Sequence, residues 1–207
     1  MTDIVYVTLY WEKKILLKKL VGDYCLLSEI EFKYKYPDLF KENEFNHYMF
    51  TLRNKVLYIG KTGKILYERL FKQKHDGLLC SLSHLPKRVY FTYSYILELE
   101  DDLSEETYDG LIEEVIDNDL LVEDDYLIDE VIKIVEKNKD KISKLIPKKI
   151  TRKLIDLTEE SLIFRNNPLY NSKSIYSVNF PIFKKIVVDH EGYYKPLLRF
   201  KLQPGVY

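Results

Sequence analysis

A chain of 207 residues with 46% hydrophobic side chains can bury roughly 70% of its unfolded surface, so neither a disulfide nor a metal is required for stability. No apolar run approaches the roughly 20 residues needed to span a bilayer, the Met1–Ile4 start lacks the shape of a secretory leader, and two cysteines, Cys25 and Cys80, are too few for a disulfide framework. A cytoplasmic, reducing location is the default expectation, with both thiols in the core and no membrane partner. The formal charge of −1 conceals a segregation: residues 89–132 hold 16 Asp and Glu and no Lys or Arg, while the remainder holds 17 acids against 32 bases. A basic body with an acidic insert suits a polyanionic partner. The competing reading is a solvated acidic arm beside a Lys-rich surface.

In chain order, Ile4–Tyr10 alternates as a strand does, and Trp11–Leu20 reads as a short basic helix stopped at Gly22. Ser28-Glu29-Ile30-Glu31 has capping-box spacing, and Pro37 interrupts the segment beyond it. Residues 1–44 are therefore expected to form a covering extension. His47–Leu52 and Lys55–Gly60 predict a hairpin across Arg53-Asn54. Lys64–His75 predicts a helix with Leu66 and Leu70 as its apolar stripe and Arg69 at its edge, ended by Asp76-Gly77. Val89–Leu99 predicts a strand.

From Ser104 to about Lys144 the pattern is helical and acidic, with Leu111, Ile112, Val115 and Ile116 and then Leu127, Ile128, Val131, Ile132 and Val135 at helical spacing. Pro147 is expected to end that arm. The run Lys137–Lys153 holds eight Lys or Arg and one Asp, and Ile150–Phe164 reads as helical again. Phe180–Val188 and Tyr193–Leu202 predict strands around an Asp189-His190-Glu191-Gly192 turn.

Two segments carry chemistry. Val56-Leu57-Tyr58-Ile59-Gly60-Lys61-Thr62 puts an apolar strand, a tight turn and then a helix with Arg69 in succession. Far downstream stand Glu159-Glu160-Ser161-Leu162-Ile163 and Asn167-Pro168-Leu169-Tyr170-Asn171. Taken singly, each residue has a plain alternative. Tyr58 suits a half-buried strand position, Arg69 a solvated helix, and Lys61 an exposed surface. Glu159 has the spacing of a capping-box carboxylate after Asp156. It also lies in line with Ile155, Leu162 and Ile163, which face inward, where an idle carboxylate is costly. Glu160 is its exposed neighbour and rival.

Together the segments resemble the GIY-YIG nuclease family. Tyr58-Ile59-Gly60 matches its second motif, and Asn46-His47-Tyr48 stands where the first is usually Gly-Ile-Tyr, with only Tyr48 retained. Arg69 falls nine residues after Gly60, one more than the commoner spacing, which implies a one-residue insertion within residues 62–65. Gln73 occupies the place where some members carry a His or Tyr, leaving His75 a weak candidate.

The resemblance implies an α+β fold: a small mixed sheet flanked by helices, in a domain over residues 45–172 with a helical insertion at 101–150 and a β-rich extension at 173–207. It implies a Mg²⁺- or Mn²⁺-dependent endonuclease acting on DNA, of the site-specific restriction type and paired as a homodimer. A homing or phage-borne nuclease is the near variant, and a non-catalytic nucleic-acid-binding module the alternative class. Within it, Arg69 clamps the phosphate, Glu159 holds the metal, and Asn171 fixes the geometry. One of the two tyrosines takes the proton of the attacking water, directly or through Lys61, with Tyr58 favoured as that base over Tyr48, which then positions. Lys148, Lys149, Arg152 and Lys153 are the expected nucleic-acid contacts.

Overall fold

The computed structural model describes residues 4–42, 44, 46–53, 55–72, 76–116, 128–171, 185–193 and 200–202. Strand alternation builds its sheet. In β1 (Ile4–Trp11) the side chains of Val5, Val7, Leu9 and Trp11 all point to one buried face. β1 lies in the middle of the sheet, antiparallel to β5 (Val89–Asp102) and parallel to β6 (Lys185–Gly192). With β3 (His47–Leu52), β4 (Lys55–Lys61) and β7 (Phe200–Leu202) the order is β4-β3-β5-β1-β6-β7, and the two-residue β2 (Ile15–Leu16) pairs with β5. The first strand of the expected covering extension is thus built into the sheet. Four buried apolar residues at a spacing of two are worth more inside a sheet than over one.

Helices lie on both faces. On one, α4 (Glu105–Val115), α5 (Ile128–Lys137) and α6 (Lys139–Asn166) pack over β1, β6 and Met49. On the other, α1 (Leu17–Leu26), α2 (Glu29–Lys35), a 3₁₀ turn (Pro37–Phe40), a π-helical turn (Glu68–Lys72) and α3 (Asp76–Ser83) cover Tyr48, Phe50, Phe91 and Tyr93. The α+β expectation holds: a mixed sheet flanked by helices. Among the described residues no helix is long and apolar enough to cross a membrane.

The Ser28 capping box is present, with Glu31 N–H donating to Ser28 Oγ and Ser28 N–H to the Glu31 carboxylate. Several local expectations are overturned. Gly22 does not stop α1, because Leu17 and Leu20 are buried before it and Tyr24 stacks on Phe71 beyond it, ring centroids 4.2 Å apart, which holds the helix down on both sides. Asp76-Gly77 opens α3 instead of ending a helix, and His75 lies outside the described residues. Asp189–Gly192 continues β6, where buried His190 accepts a hydrogen bond from Trp11 Nε1 at 2.9 Å; the remainder of the two expected C-terminal strands lies partly outside the described residues. Cys25 and Cys80 are exposed and not core thiols.

Pro147 does not end the acidic arm either; it sits inside α6. An interior proline costs about 3 kcal/mol. Ile142, Ile146, Ile150 and Leu154, spaced by four, are all buried on the same stripe. At about 1.5–3 kcal/mol for each buried aliphatic side chain, their packing outweighs the missing backbone bond.

Candidate active site

β4 is the edge strand next to β3, and the site forms there because an edge is where the two helical layers can meet. Tyr48 and Gly60 are partners across the β3–β4 ladder. The Tyr48 ring lies directly over Gly60: a Cβ at residue 60 would stand 2.5 Å from both Cζ and Oη of Tyr48. This is the physical reason for glycine in Tyr58-Ile59-Gly60. The ladder register shifts between Phe50 and Thr51, so that Leu57 is the extra residue of a bulge just before Tyr58. As a result Tyr58 packs with Tyr48 and Phe50 on one face, ring centroids 6.0 Å apart in each case, while Ile59 packs into the opposite core.

The turn after β4 is closed by Thr62, whose Oγ accepts from Lys64 N–H at 3.0 Å and donates to Lys64 O at 2.9 Å. Arg69 comes next in the π-helical turn, an irregularity frequent at functional positions. Its guanidinium donates to the Tyr48 phenol, which in turn donates to Tyr58. Tyr48 is fully buried, and burial first, with Tyr58 second, holds its phenol far above the usual value. Burial, with the charge of Glu159 adding to it, raises Tyr58 overall, while the hydrogen bond from Tyr48 and, more weakly, the charge of Arg69 act the other way.

Glu159 reaches the same place from the opposite layer. It lies well inside α6, which removes the capping-box alternative. Its carboxylate is 17% exposed and 3.2 Å from Lys61 Nζ, and Lys61 also pairs with Asp156 at 2.6 Å. Burial raises the Glu159 carboxyl above the ordinary range, opposed by Lys61 and, more weakly, by Arg69. The rival Glu160 is also raised by burial, with Lys61 opposing. Lys61 itself is disfavoured by burial, yet Asp156 and Glu159 raise it overall, which keeps it an ammonium.

Asn167 and Asn171 have distinct work. Asn167 ends α6 in the left-handed conformation, φ 39°, ahead of Pro168. The chain then turns back along the open edge of β4. Tyr170 N–H donates to Leu57 O at 2.9 Å, and the Asn171 amide takes Ile59 N–H at 3.0 Å and gives to Ile59 O at 2.8 Å. Asn171 thereby fixes the residue between Tyr58 and Gly60 and covers a strand edge.

Tyr48, Tyr58, Lys61, Arg69, Glu159 and Asn171 therefore share one region. A groove of about 820 Å³ opens beside it, lined by Lys61, Lys64 and Arg69 on one wall and Lys148, Arg152 and Asp156 on the other. The four expected nucleic-acid contacts divide. Lys148 and Arg152 line the groove, while Lys149 and Lys153 turn to α4 and pair with Glu114. Missed in the sequence was His47, which is fully buried with its Nε2 2.9 Å from Ile155 O. The available signal was a polar residue on the same strand face as Met49.

Among the described residues no three His, Cys, Asp or Glu side chains gather as a metal cage. The donors at hand are the carboxylate oxygens of Glu159 and, one turn earlier, Asp156. Such a set fits Mg²⁺, which keeps most of its waters and needs only one or two carboxylates; Mn²⁺ accepts the same hard oxygen donors. Comparisons of the chain with protein-family models, curated proteins and solved structures returned no match, so the functional reading rests on the residues themselves.

Proposed function

We propose that the protein is a divalent-metal-dependent endonuclease that hydrolyses DNA phosphodiester bonds with a GIY-YIG-type site. One observation carries the reading: Arg69 from one helical layer and Glu159 from the other converge with two adjoining, mutually tilted tyrosines and Lys61 at the β4 edge of the sheet. A permanently charged fork, a largely buried carboxylate and a phenol are the groups that a phosphodiester under attack requires.

Glu159 would hold Mg²⁺ or Mn²⁺, with Asp156 close enough to contribute, and when bound the ion neutralises charge on the phosphate and on the departing oxygen. Arg69 binds the non-bridging oxygens and receives the charge that develops on them. A water oxygen attacks phosphorus, the bond from phosphorus to the ester oxygen breaks, and ionised Tyr58 takes the proton of the water. Tyr58 suits that role better than Tyr48. Its oxygen accepts a hydrogen bond from Tyr48 and feels Arg69, which favour the phenolate, while burial and the charge of Glu159 oppose it and hold the phenol above its ordinary value. A cation held by Glu159 would offset the second of these, whereas Tyr48 has no exposure to a substrate. Lys61, kept positive by two carboxylates, serves as a positioning cation and not as the base.

Lys148 and Arg152 extend the positive wall away from the reacting centre and suit the phosphate backbone. In this reading the parts of the chain outside the site would recognise a specific sequence, and two copies would serve two strands. The test is metal-dependent nicking of plasmid DNA by wild type and by Glu159→Ala. Nicking that needs Mg²⁺ and disappears in the variant supports the nuclease. A wild type that binds DNA and never cuts it, at any Mg²⁺ or Mn²⁺ level, identifies a binding module instead.

A further inference from the structure

His47 sits where an aliphatic residue would be the ordinary choice. It lies in β3, faces α6, and is fully buried. A backbone carbonyl on that helix explains the exception. A carbonyl can only accept, so the 2.9 Å contact to Ile155 O fixes Nε2 as the N–H and leaves Nδ1 as a bare acceptor. Nδ1 is buried and has no hydrogen-bond partner among the described residues. In the helical ladder Ile155 O also receives the N–H of Glu159, four residues on. The imidazole therefore grips the backbone turn that carries the carboxylate.

The neighbouring rung makes the arrangement specific. His47 and Lys61 are partners across the β3–β4 ladder. Lys61 holds the same helical turn by its side chains, Asp156 and Glu159, while His47 holds it by its backbone. The first grip depends on carboxylate charge and weakens when a cation or a phosphate competes for those groups. The second involves no ionised partner and persists. We propose that His47 is the positioning residue for Glu159: its Nε2–H holds the carbonyl of Ile155 and so sets the carboxylate on α6 at a fixed distance from Tyr58 on β4. The inference rests on the reading of Glu159 as the metal-holding group. A displacement of about 1 Å at such a group costs on the order of 100-fold in rate.

The experiment uses three readouts on the whole protein: hydrogen exchange of the α6 amides, plasmid nicking with Mg²⁺, and the tautomer of His47 by ¹⁵N–¹H correlation in wild type. His47→Leu removes the donor at similar volume, and His47→Gln restores an amide donor. The expected result is a Nε2–H tautomer in wild type. In His47→Leu, exchange should be at least tenfold faster over residues 156–160 than elsewhere in α6, and kcat at least tenfold lower with KM for plasmid within twofold. His47→Gln should recover kcat to within threefold of wild type. A Nδ1–H tautomer, or a His47→Leu protein with unchanged exchange and kcat, overturns the proposal. Should His47→Leu fail to fold, the tautomer and His47→Gln decide: a Gln variant with normal exchange over 156–160 supports the grip, and one with the whole of α6 loosened equally overturns it. If wild type never nicks DNA, the nuclease reading falls, and the exchange and tautomer results still judge the grip by itself.

Discussion

On the β4 side of the cleft the functional groups are fixed by contact. Tyr48 lies on Gly60, Asn171 occupies the strand edge at Ile59, and Arg69 is bonded to a buried phenol. On the α6 side the groups are presented by helical spacing and held by charge and one imidazole: Lys148, Arg152, Asp156 and Glu159 succeed one another on successive turns, and Lys61 and His47 tie the last of them to the sheet. The first wall tolerates little change of shape. The second tolerates changes of shape and responds to charge. A cleft built this way fixes Tyr58 and Arg69 rigidly at the sheet edge and holds Glu159 opposite them by charge and one imidazole; under the proposed function, the remaining α6 cations are left to meet a polyanion.

Removing the reacting group from either wall should have the largest effect. Glu159→Gln keeps the size and loses the charge, and Arg69→Ala loses the fork. Each is expected to lower the nicking rate by about 3–4 kcal/mol in barrier, or 10²- to 10³-fold. Glu159→Gln should retain DNA affinity, while Arg69→Ala should lose part of it. A filter-binding assay beside the nicking assay separates the two. Equal loss of affinity in both variants would break the distinction drawn between the walls.

The α6 wall also has a pH signature. Burial depresses His47 to about 4, with Lys61 adding to the depression and Ile155 O and Asp156 opposing it. An unfolded histidine titrates near 6.5, so between these values the unfolded chain binds a proton that the folded one refuses. Stability from this source is complete above about pH 6.5 and is lost as pH falls toward 4, by on the order of 3 kcal/mol in all. Urea unfolding of wild type and His47→Gln across that range should converge as the pH drops. Parallel curves would remove the imidazole from the account.

On the β4 wall, Gly60→Ala should act through shape alone. The added methyl would meet the Tyr48 ring at 2.5 Å, and Tyr48 is fully buried and unable to swing away cheaply. Overpacking of this kind costs about 1–3 kcal/mol of stability. Because Tyr48 donates to Tyr58, kcat should fall as well. Calorimetric unfolding at neutral pH, set against the nicking rate, checks both halves.

The parts of this arrangement that were legible in the sequence are the ones governed by short-range rules. Alternation placed β3, β4 and β5, and Ser28 and Glu31 announced a capped helix. The grouping of Tyr58-Ile59-Gly60 with the distant Glu159 and Asn171 came from no such rule but from the resemblance, and the sheet and α6 do bring these residues together in space. What escaped depends on tertiary burial. Pro147 and Gly22 are breakers locally, and both are overruled by apolar stripes packed on the sheet. Asp189–Gly192 reads as a turn until β1 offers a parallel partner and Gly192 adopts φ 74° against Trp11. His47 could be recognised as polar on an apolar face, but the backbone carbonyl it seeks lies 108 residues away.

The division of the cations on α6 has the smallest expected effect and gives the clearest contrast. Lys148 and Lys149 are adjacent in sequence, as are Arg152 and Lys153, yet a rotation of about 100° per residue sends one of each pair to the groove and the other to Glu114. A cation that meets DNA phosphate releases a counterion, and each such contact contributes about 0.9 to the slope of log affinity against log salt. The double variant Lys148→Gln, Arg152→Gln should lower that slope by about 1.8 without changing the thermal midpoint. Lys149→Gln with Lys153→Gln should leave the slope almost unaltered and cost at most about 1 kcal/mol of stability, since the pairs with Glu114 are partly exposed. If both double variants lowered the slope equally, DNA would have to reach the α4 side of the helix, and the acidic Glu114 would then be a competitor for the same lysines instead of a fixed partner.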